Sequence, residues 1–518
     1  MIQQGRNITE HLQLQCDVCI VGSGAGGGTA AMILAQAGYS VIVLEAGGHV
    51  TRKRFTMEEG EVYPLLYQEG MRRTTDDQAI LLMQGRAFGG GTVSNWTTAY
   101  RTPHHIREYW KEFHGLIDFA GKALNPHWDA MEARLAVRES TLDEINPNNQ
   151  MLANGCEQLG FSWKLVRRAV RGCKNTGYCG MGCPIDAKQS MAITGLPDAI
   201  GAGASVFTDC RVWRLVANGN QVKRVEGYFH HPEQGDGPTG GRISVDAEIC
   251  ILSGGALNTP ALLLRSEIGN QSGMVGKRTF VQPKVMVTGW HDAPIEPYFG
   301  VPQSVDCLQF FDENIDRLNY YIQAAPLHPT LYATLLPSMG TFHREAMQRI
   351  KHTSTVVATL IDGLHEDEDG GTVSLRPDGS PSLSYDYTSL LWDSVRRAVS
   401  TIARIALASG AHTVYSSHEE PVRLTGEAAI PTLEAADYGP NRLRLFSTAQ
   451  VGGCAMGRNP GASVVNADLR HHHMKNLYVM DGSVCPTAVG VDPQLTIYGL
   501  VHRAATRLAA KGRTADNR

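Results

Sequence analysis

The run Val18-Cys19-Ile20-Val21-Gly22-Ser23-Gly24-Ala25-Gly26-Gly27-Gly28, continued by Thr29 to Ala37 and by Val41 to Leu44 ending at Glu45, decides the fold. Val18 to Val21 is a short apolar run of the kind a buried parallel strand requires. Thr29 to Ala37 has a helical pattern, and Val41 to Leu44 is a second buried strand, so the segment reads as β-α-β. The glycines have separate tasks: Gly22 makes the strand-to-helix turn, Gly24 lets the backbone approach a pyrophosphate, and Gly27 lets the helix pack on the strand. The helix N-terminus then faces the phosphates with its unpaired N–H groups. Glu45 stands 23 residues beyond Gly22, where a carboxylate accepts hydrogen bonds from an adenosine ribose.

The rest of the chain is consistent with a large enzyme. Its 518 residues exceed what one hydrophobic core usually serves. Hydrophobic residues make up 42% and charged residues 19%, which excludes a disordered scaffold. With 47 Lys and Arg against 51 Asp and Glu, the net charge of -4 gives no reason for a nucleic acid partner. Apolar runs such as Ala261 to Leu264 and Val356 to Ile361 fall far short of the roughly 18 to 20 residues that span a bilayer, so no transmembrane segment is expected. Gln3, Arg6, Glu10 and Gln13 interrupt any leader-like apolar stretch, and the expected location is cytoplasmic. Eleven cysteines, an odd number without a secretory leader, point to thiols or metal ligands and not to a disulfide framework.

Past the first unit, strands are expected at Val222 to Phe229 and Ile243 to Leu252, with Glu233 to Gly241 as the loop between them. From about Pro283 to Tyr387 strand-like runs such as Tyr320 to Ala325 alternate with amphipathic stretches and no cofactor-type glycine block appears. This part reads as a substrate-side domain.

Three more blocks carry a family resemblance. Gly85-Arg86-Ala87-Phe88-Gly89-Gly90-Gly91-Thr92-Val93-Ser94-Asn95, then Ser253-Gly254-Gly255-Ala256-Leu257-Asn258-Thr259-Pro260, then Asn476-Leu477-Tyr478-Val479-Met480-Asp481-Gly482-Ser483 with Gly490-Val491-Asp492-Pro493-Gln494, resemble the ordered signatures of the glucose-methanol-choline (GMC) oxidoreductases. The resemblance implies an α/β (α+β overall) protein: a Rossmann-like FAD-binding domain from residues 1–282 and 440–518, and an inserted sheet-based substrate domain over 283–439. It implies FAD as cofactor, with Gly89, Gly90 and Asn95 by the isoalloxazine, Asp481 and Gly482 by the pyrophosphate or ribityl chain, and the backbone of Val212 by the adenine.

Cys173, Cys179 and Cys183 lie in a glycine-rich loop, residues 171–185, at C-x5-C-x3-C spacing. Three soft ligands on a flexible loop suit iron-sulfur ligation. The spacing resembles that of bacterial FAD-dependent glucose and polyol dehydrogenase subunits, which implies a 3Fe-4S cluster; long-chain alcohol oxidases have a similar loop without one. Cluster ligands and free or structural thiols both remain open on this evidence. The run His471-His472-His473 reads as a solvated loop between Arg470 and Lys475 and not as a metal site.

The departures from the family pattern fall on the chemistry. Where the resemblance implies a histidine, the segment Ser447-Thr448-Ala449-Gln450 has Ala449, and where it implies His or Asn the chain has Asp492. Asp492 is then the titratable candidate for the proton acceptor, or for a carboxylate that stabilises developing positive charge, and Gln450 is a candidate to orient substrate. The expectation is an FAD-dependent dehydrogenase that removes hydride from an apolar or alcohol-type small molecule and passes electrons to an external acceptor, with a redox partner protein if the cysteine loop holds a cluster. The alternatives are hydride removal at an activated, for example allylic, C–H bond, and a decayed electron-transfer subunit.

Overall fold

The computed structural model describes residues 1–231, 235–311 and 317–512. The glycine-rich opening is the strand His11–Val21, the helix Ala25–Gln36 and the strand Val41–Leu44, all buried where they meet. The small side chains of Ala25–Gln36 let it pack tightly between the helices Gly195–Gly201 and Gln494–Ala510. The eight-stranded sheet runs Ile2–Gln4, Ser205–Thr208, Val41–Leu44, His11–Val21, Gly235–Leu252, Gln221–His231, Cys210–Asn218, with Leu477–Val479 also paired to Gly235–Leu252. Its core is parallel: Val18 pairs with Val41 on one side and Ile249 on the other, and Ile251 pairs with Tyr478. The N-terminal, central and C-terminal segments thus meet in one sheet.

The expected loop at 233–241 is corrected. Residues 233 and 234 lie outside the described residues, and the chain from Gly235 onward is strand, pairing antiparallel with Gln221–His231 from the register His231 to Gly235 through Arg224 to Asp246. A partner strand supplies the hydrogen bonds, which outweighs the turn preference of glycine and proline here.

The second sheet has nine strands and is largely antiparallel. Its path is Arg423–Leu424, Thr413–Ser416, Lys284–Trp290, Thr353–Leu360, Tyr320–Ala324, Val305–Cys307 and Lys164–Leu165, with Leu445–Ser447 and Ile80–Leu82 joined beside it. The helix Ser389–Ala408 covers one face. Thr388 caps it by accepting from the Leu391 amide at 3.1 Å, and Leu391, Val395, Ile402 and Ile405 bury against the strands. Three strands of this sheet come from outside 283–439: Lys164–Leu165, Leu445–Ser447 and Ile80–Leu82. This interleaving places the site. Phe446 pairs with Lys284 and with Leu81, so the segment leaving Ser447 toward Ala449 and the segment leaving Leu82 toward Gly85 emerge side by side at the boundary of the two sheets.

No described helix is long and apolar enough to cross a membrane.

Candidate active site

A cavity of about 620 Å³ lies where the two sheets meet. Gly22, Gly24, Glu45, Gly90, Asn95, Val212, Ala449, Gln450, Asp481, Gly482 and Asp492 all line it, so segments from both ends of the chain converge as the sequence implied. Gly27 and Gly89 do not line it but shape its wall. A Cβ on Gly27 would lie 1.9 Å from the Gly22 carbonyl oxygen, and Gly89, in the left-handed region at φ 98°, donates its amide to Ser23 Oγ at 2.9 Å. Gly26, not singled out in the sequence, is as constrained: its Cβ would meet the Met480 carbonyl oxygen at 1.7 Å.

This cavity fits an FAD. The N-terminus of Ala25–Gln36 opens on it with Gly24 as cap and no side chain accepting its amides, leaving those donors for a pyrophosphate. Glu45 accepts from the Ser23 amide and hydroxyl at 2.8 and 2.6 Å and from the Gly47 amide at 2.6 Å, which fixes the turn around the ribose position. Burial pushes its carboxyl above the usual range against those hydrogen bonds. The carboxylate of Asp481 is fully engaged: Gly255 and Thr259 donate to one oxygen and Ser483 to the other. It therefore organises the backbone of the central and C-terminal glycine segments, and a ligand there meets backbone N–H groups. Val212 sits on the strand Cys210–Asn218, its carbonyl accepting from Arg265 at 3.3 Å.

At the other end of the cavity, the place of the expected histidine is filled by the buried methyl group of Ala449, whose carbonyl accepts from Gln282 Nε2 at 3.1 Å. Gln450 spends its amide NH2 on Ser447, on the carbonyl at 3.0 Å and the hydroxyl at 2.8 Å, leaving its carbonyl oxygen for other contacts. Asp492 precedes the helix Gln494–Ala510, whose N-terminus favours negative charge. Its Oδ1 lies 4.0 Å from Lys284 Nζ, and its Oδ2 is buried with no hydrogen-bond partner among the described residues.

Behind this carboxylate is a polar network that the sequence reading did not single out. Thr98 and Gln303 line the cavity; Thr98 donates to Gln303 at 2.9 Å, Gln303 to Gln323 at 3.0 Å, and Gln323 to Asp306 Oδ1 at 2.8 Å. Burial, with Asp492 as a like charge nearby, pushes the Asp306 carboxyl up to about 6. The available signal was a charge inside an apolar run: Lys284 opens the wholly buried strand Lys284–Trp290, and Asp306 sits between Val305 and Cys307.

The cysteine loop is a separate feature, and the expected cluster ligands are corrected. Cys173, Cys179 and Cys183 line a different cavity of about 10 Å³, room for about one water and not for three iron and four sulfur atoms. Among the described residues no group of three His, Cys, Asp or Glu is placed to hold a metal ion. Two of the thiols are instead held separately. Cys173 Sγ accepts from the Asn175 amide at 3.4 Å and faces Arg168 at 3.8 Å, and Cys183 Sγ accepts from the Ala187 amide at 3.2 Å. Burial raises the Cys179 thiol, opposed by Lys188 and Arg168. The loop is tied to the 85–95 segment: Tyr67 donates to Gly180 O at 2.7 Å, and Lys188 donates to the carbonyls of Val93, Asn95 and Cys179. In the histidine run, His471 pairs with Gly269 O at 2.8 Å and His472 with Ser463 at 2.9 Å, both structural contacts.

Models of the GMC oxidoreductase N-terminal and C-terminal regions match residues 43–284 and 367–500. Long-chain-alcohol oxidase FAO3 of Arabidopsis thaliana is 27% identical over 529 residues, covering 97% of this chain and 69% of that protein. The 2-methyl-1,2-propanediol dehydrogenase of Mycolicibacterium austroafricanum is 24% identical and covers 96% of each chain. In fold, formate oxidase of Aspergillus oryzae RIB40 superposes with a TM-score of 0.72 at 16% identity, covering 98% of this chain and 100% of that one. Pyridoxine 4-oxidase from Mesorbium loti superposes with a TM-score of 0.64 at 18% identity, covering 95% and 99%.

Proposed function

The chain belongs to the GMC oxidoreductases, and from that premise we propose that it is an FAD-dependent alcohol dehydrogenase in which Asp492 takes the hydroxyl proton and the electrons leave to an external acceptor. The observation that carries this reading is the Oδ2 atom of Asp492, buried and unpartnered in a side chain that lines the cavity opposite a catalytically silent Ala449. When bound, FAD supplies the hydride acceptor. The protein's own contribution is to exclude water, orient the carbinol and accept its proton, the last worth about 10² to 10⁴ in rate. Thr98, Gln303 and the free carbonyl of Gln450 offer hydrogen-bonding groups around the same volume. An alcohol-type substrate also accords with the alcohol oxidase and diol dehydrogenase relatives.

The test is anaerobic: purified holoprotein is mixed with dodecan-1-ol and with smaller primary alcohols while flavin absorbance is followed, first alone and then with a dye acceptor or oxygen. Bleaching that is at least about 100-fold slower in Asp492→Asn supports the reading. Unchanged bleaching in that variant removes Asp492 from the chemistry. A second reading, hydride removal at an activated C–H bond, is favoured by Ala449, since that reaction requires no hydroxyl proton acceptor. Bleaching by allylic hydrocarbons and not by alcohols would select it.

A further inference from the structure

We propose that Lys284 is the positioning residue of this site: its buried ammonium keeps the Asp492 carboxylate ionised and fixes the orientation of its open oxygen toward the substrate hydroxyl. The inference rests on the reading of Asp492 as proton acceptor. It starts from an anomaly, since lysine is almost never fully buried unless it is paired. The Lys284 side chain is 2% exposed, on the first residue of a strand whose other members are buried too. Thr359 Oγ1 accepts its one listed hydrogen bond, at 2.8 Å, and Asp492 Oδ1 stands 4.0 Å from the nitrogen, while Asp492 itself is 20% exposed on the cavity side. The geometry therefore splits the carboxylate, with Oδ1 turned to the cation and Oδ2 left without a partner.

The groups that face this pair come from several elements. Tyr321, on the strand Tyr320–Ala324, presents its ring 5.6 Å from the Lys284 nitrogen, and Tyr100 and Asp306 lie on the same side. Asp306 is the second carboxylate within the field of Lys284. One cation thus serves two acids, and Asp306, further from the cavity behind Gln323, is the one that burial turns toward its neutral form. That leaves the charge of Lys284 available to Asp492. Strand pairing fixes the arrangement: the Lys284 backbone is held between Thr359 and Phe446, so its side chain projects from the boundary of the two sheets.

Removing the cation disfavours the ionised carboxylate, so Lys284→Met moves the acid limb of kcat/KM for dodecan-1-ol to higher pH by about one pH unit or more and lowers the rate at pH 7. A residue that only fills space leaves that limb where it was. The readout independent of turnover is thermal unfolding of the FAD-bound protein in a double-variant cycle. If Lys284 compensates the Asp492 charge, adding Asp492→Asn to Lys284→Met recovers roughly half or more of the lost Tm, whereas additive losses overturn the inference. Should Lys284→Met alone not fold, recovery of folded, yellow protein in the double variant supports the proposal and equal loss in both overturns it. The two readings separate cleanly. Unchanged flavin bleaching in Asp492→Asn defeats the proton-acceptor assignment, while slowed bleaching there with an unmoved acid limb in Lys284→Met defeats only the role of Lys284.

Discussion

The ammonium of Lys188 lies 2.9 Å from the carbonyl oxygen of Asn95 and donates to it from inside the cysteine loop. The same nitrogen reaches the carbonyl of Cys179 at 2.5 Å and that of Val93, so one buried cation staples the 171–185 loop to the segment that walls the flavin cavity. Burial lowers it to about 8, with Cys179 and Cys183 opposing. Lys188→Met strands buried carbonyl groups and should cost about 2 to 4 kcal/mol. Thermal unfolding and flavin retention through gel filtration measure it; a variant as stable and as yellow as the parent refutes the staple.

The thiols of that loop are expected to be free. Iron analysis of anaerobically purified protein should show no stoichiometric iron, and Cys179→Ser should retain FAD, because the 10 Å³ cavity admits no cluster. Low-temperature EPR showing a cluster signal that Cys179→Ser removes would reverse this and restore the sequence expectation.

Two glycines of the opening turn should fail differently. A Cβ at Gly24 meets only Gly90 Cα, at 3.7 Å, and projects along the cavity wall. Gly24→Ala is expected to fold with near-parental stability when FAD is absent and to bind FAD roughly 10-fold or more weakly. A Cβ at Gly27 collides with the Gly22 backbone at 1.9 Å, so Gly27→Ala should lose about 3 kcal/mol of stability even without ligand. Calorimetry of the two apoproteins, followed by FAD titration, decides it; equal apoprotein stability would defeat the distinction.

The buried Asp306 gives a pH dependence with a definite sign. Its carboxyl is raised from 3.8 to about 6, so the native state binds more protons than the unfolded state between those values. Its contribution to stability is complete below about pH 4 and is lost as pH rises through 6, on the order of 3 kcal/mol in total. Asp306→Asn keeps an acceptor for Gln323 and removes the titration, so the difference in Tm between variant and parent should grow in the variant's favour from pH 4 to pH 7. Parallel Tm curves across that range would exclude the assignment.

The chain's own order of residues determined the dinucleotide unit, because its constraints are local. A strand, a turn that only glycine fits and a small-residue helix are specified within Val18 to Glu45, and the structure builds them there. The absence of the histidine was equally legible, since Ala449 has no functional group in any fold. Tertiary structure alone decided what stands around Asp492. Lys284, Thr359, Tyr321 and Asp306 are far from it in the chain and are brought beside it by antiparallel register between strands, which no local pattern encodes. It likewise decided the cysteine loop: spacing brought three thiols into one loop, but the packing of Lys188, Arg168 and backbone amides around them determined that the space between them holds about one water.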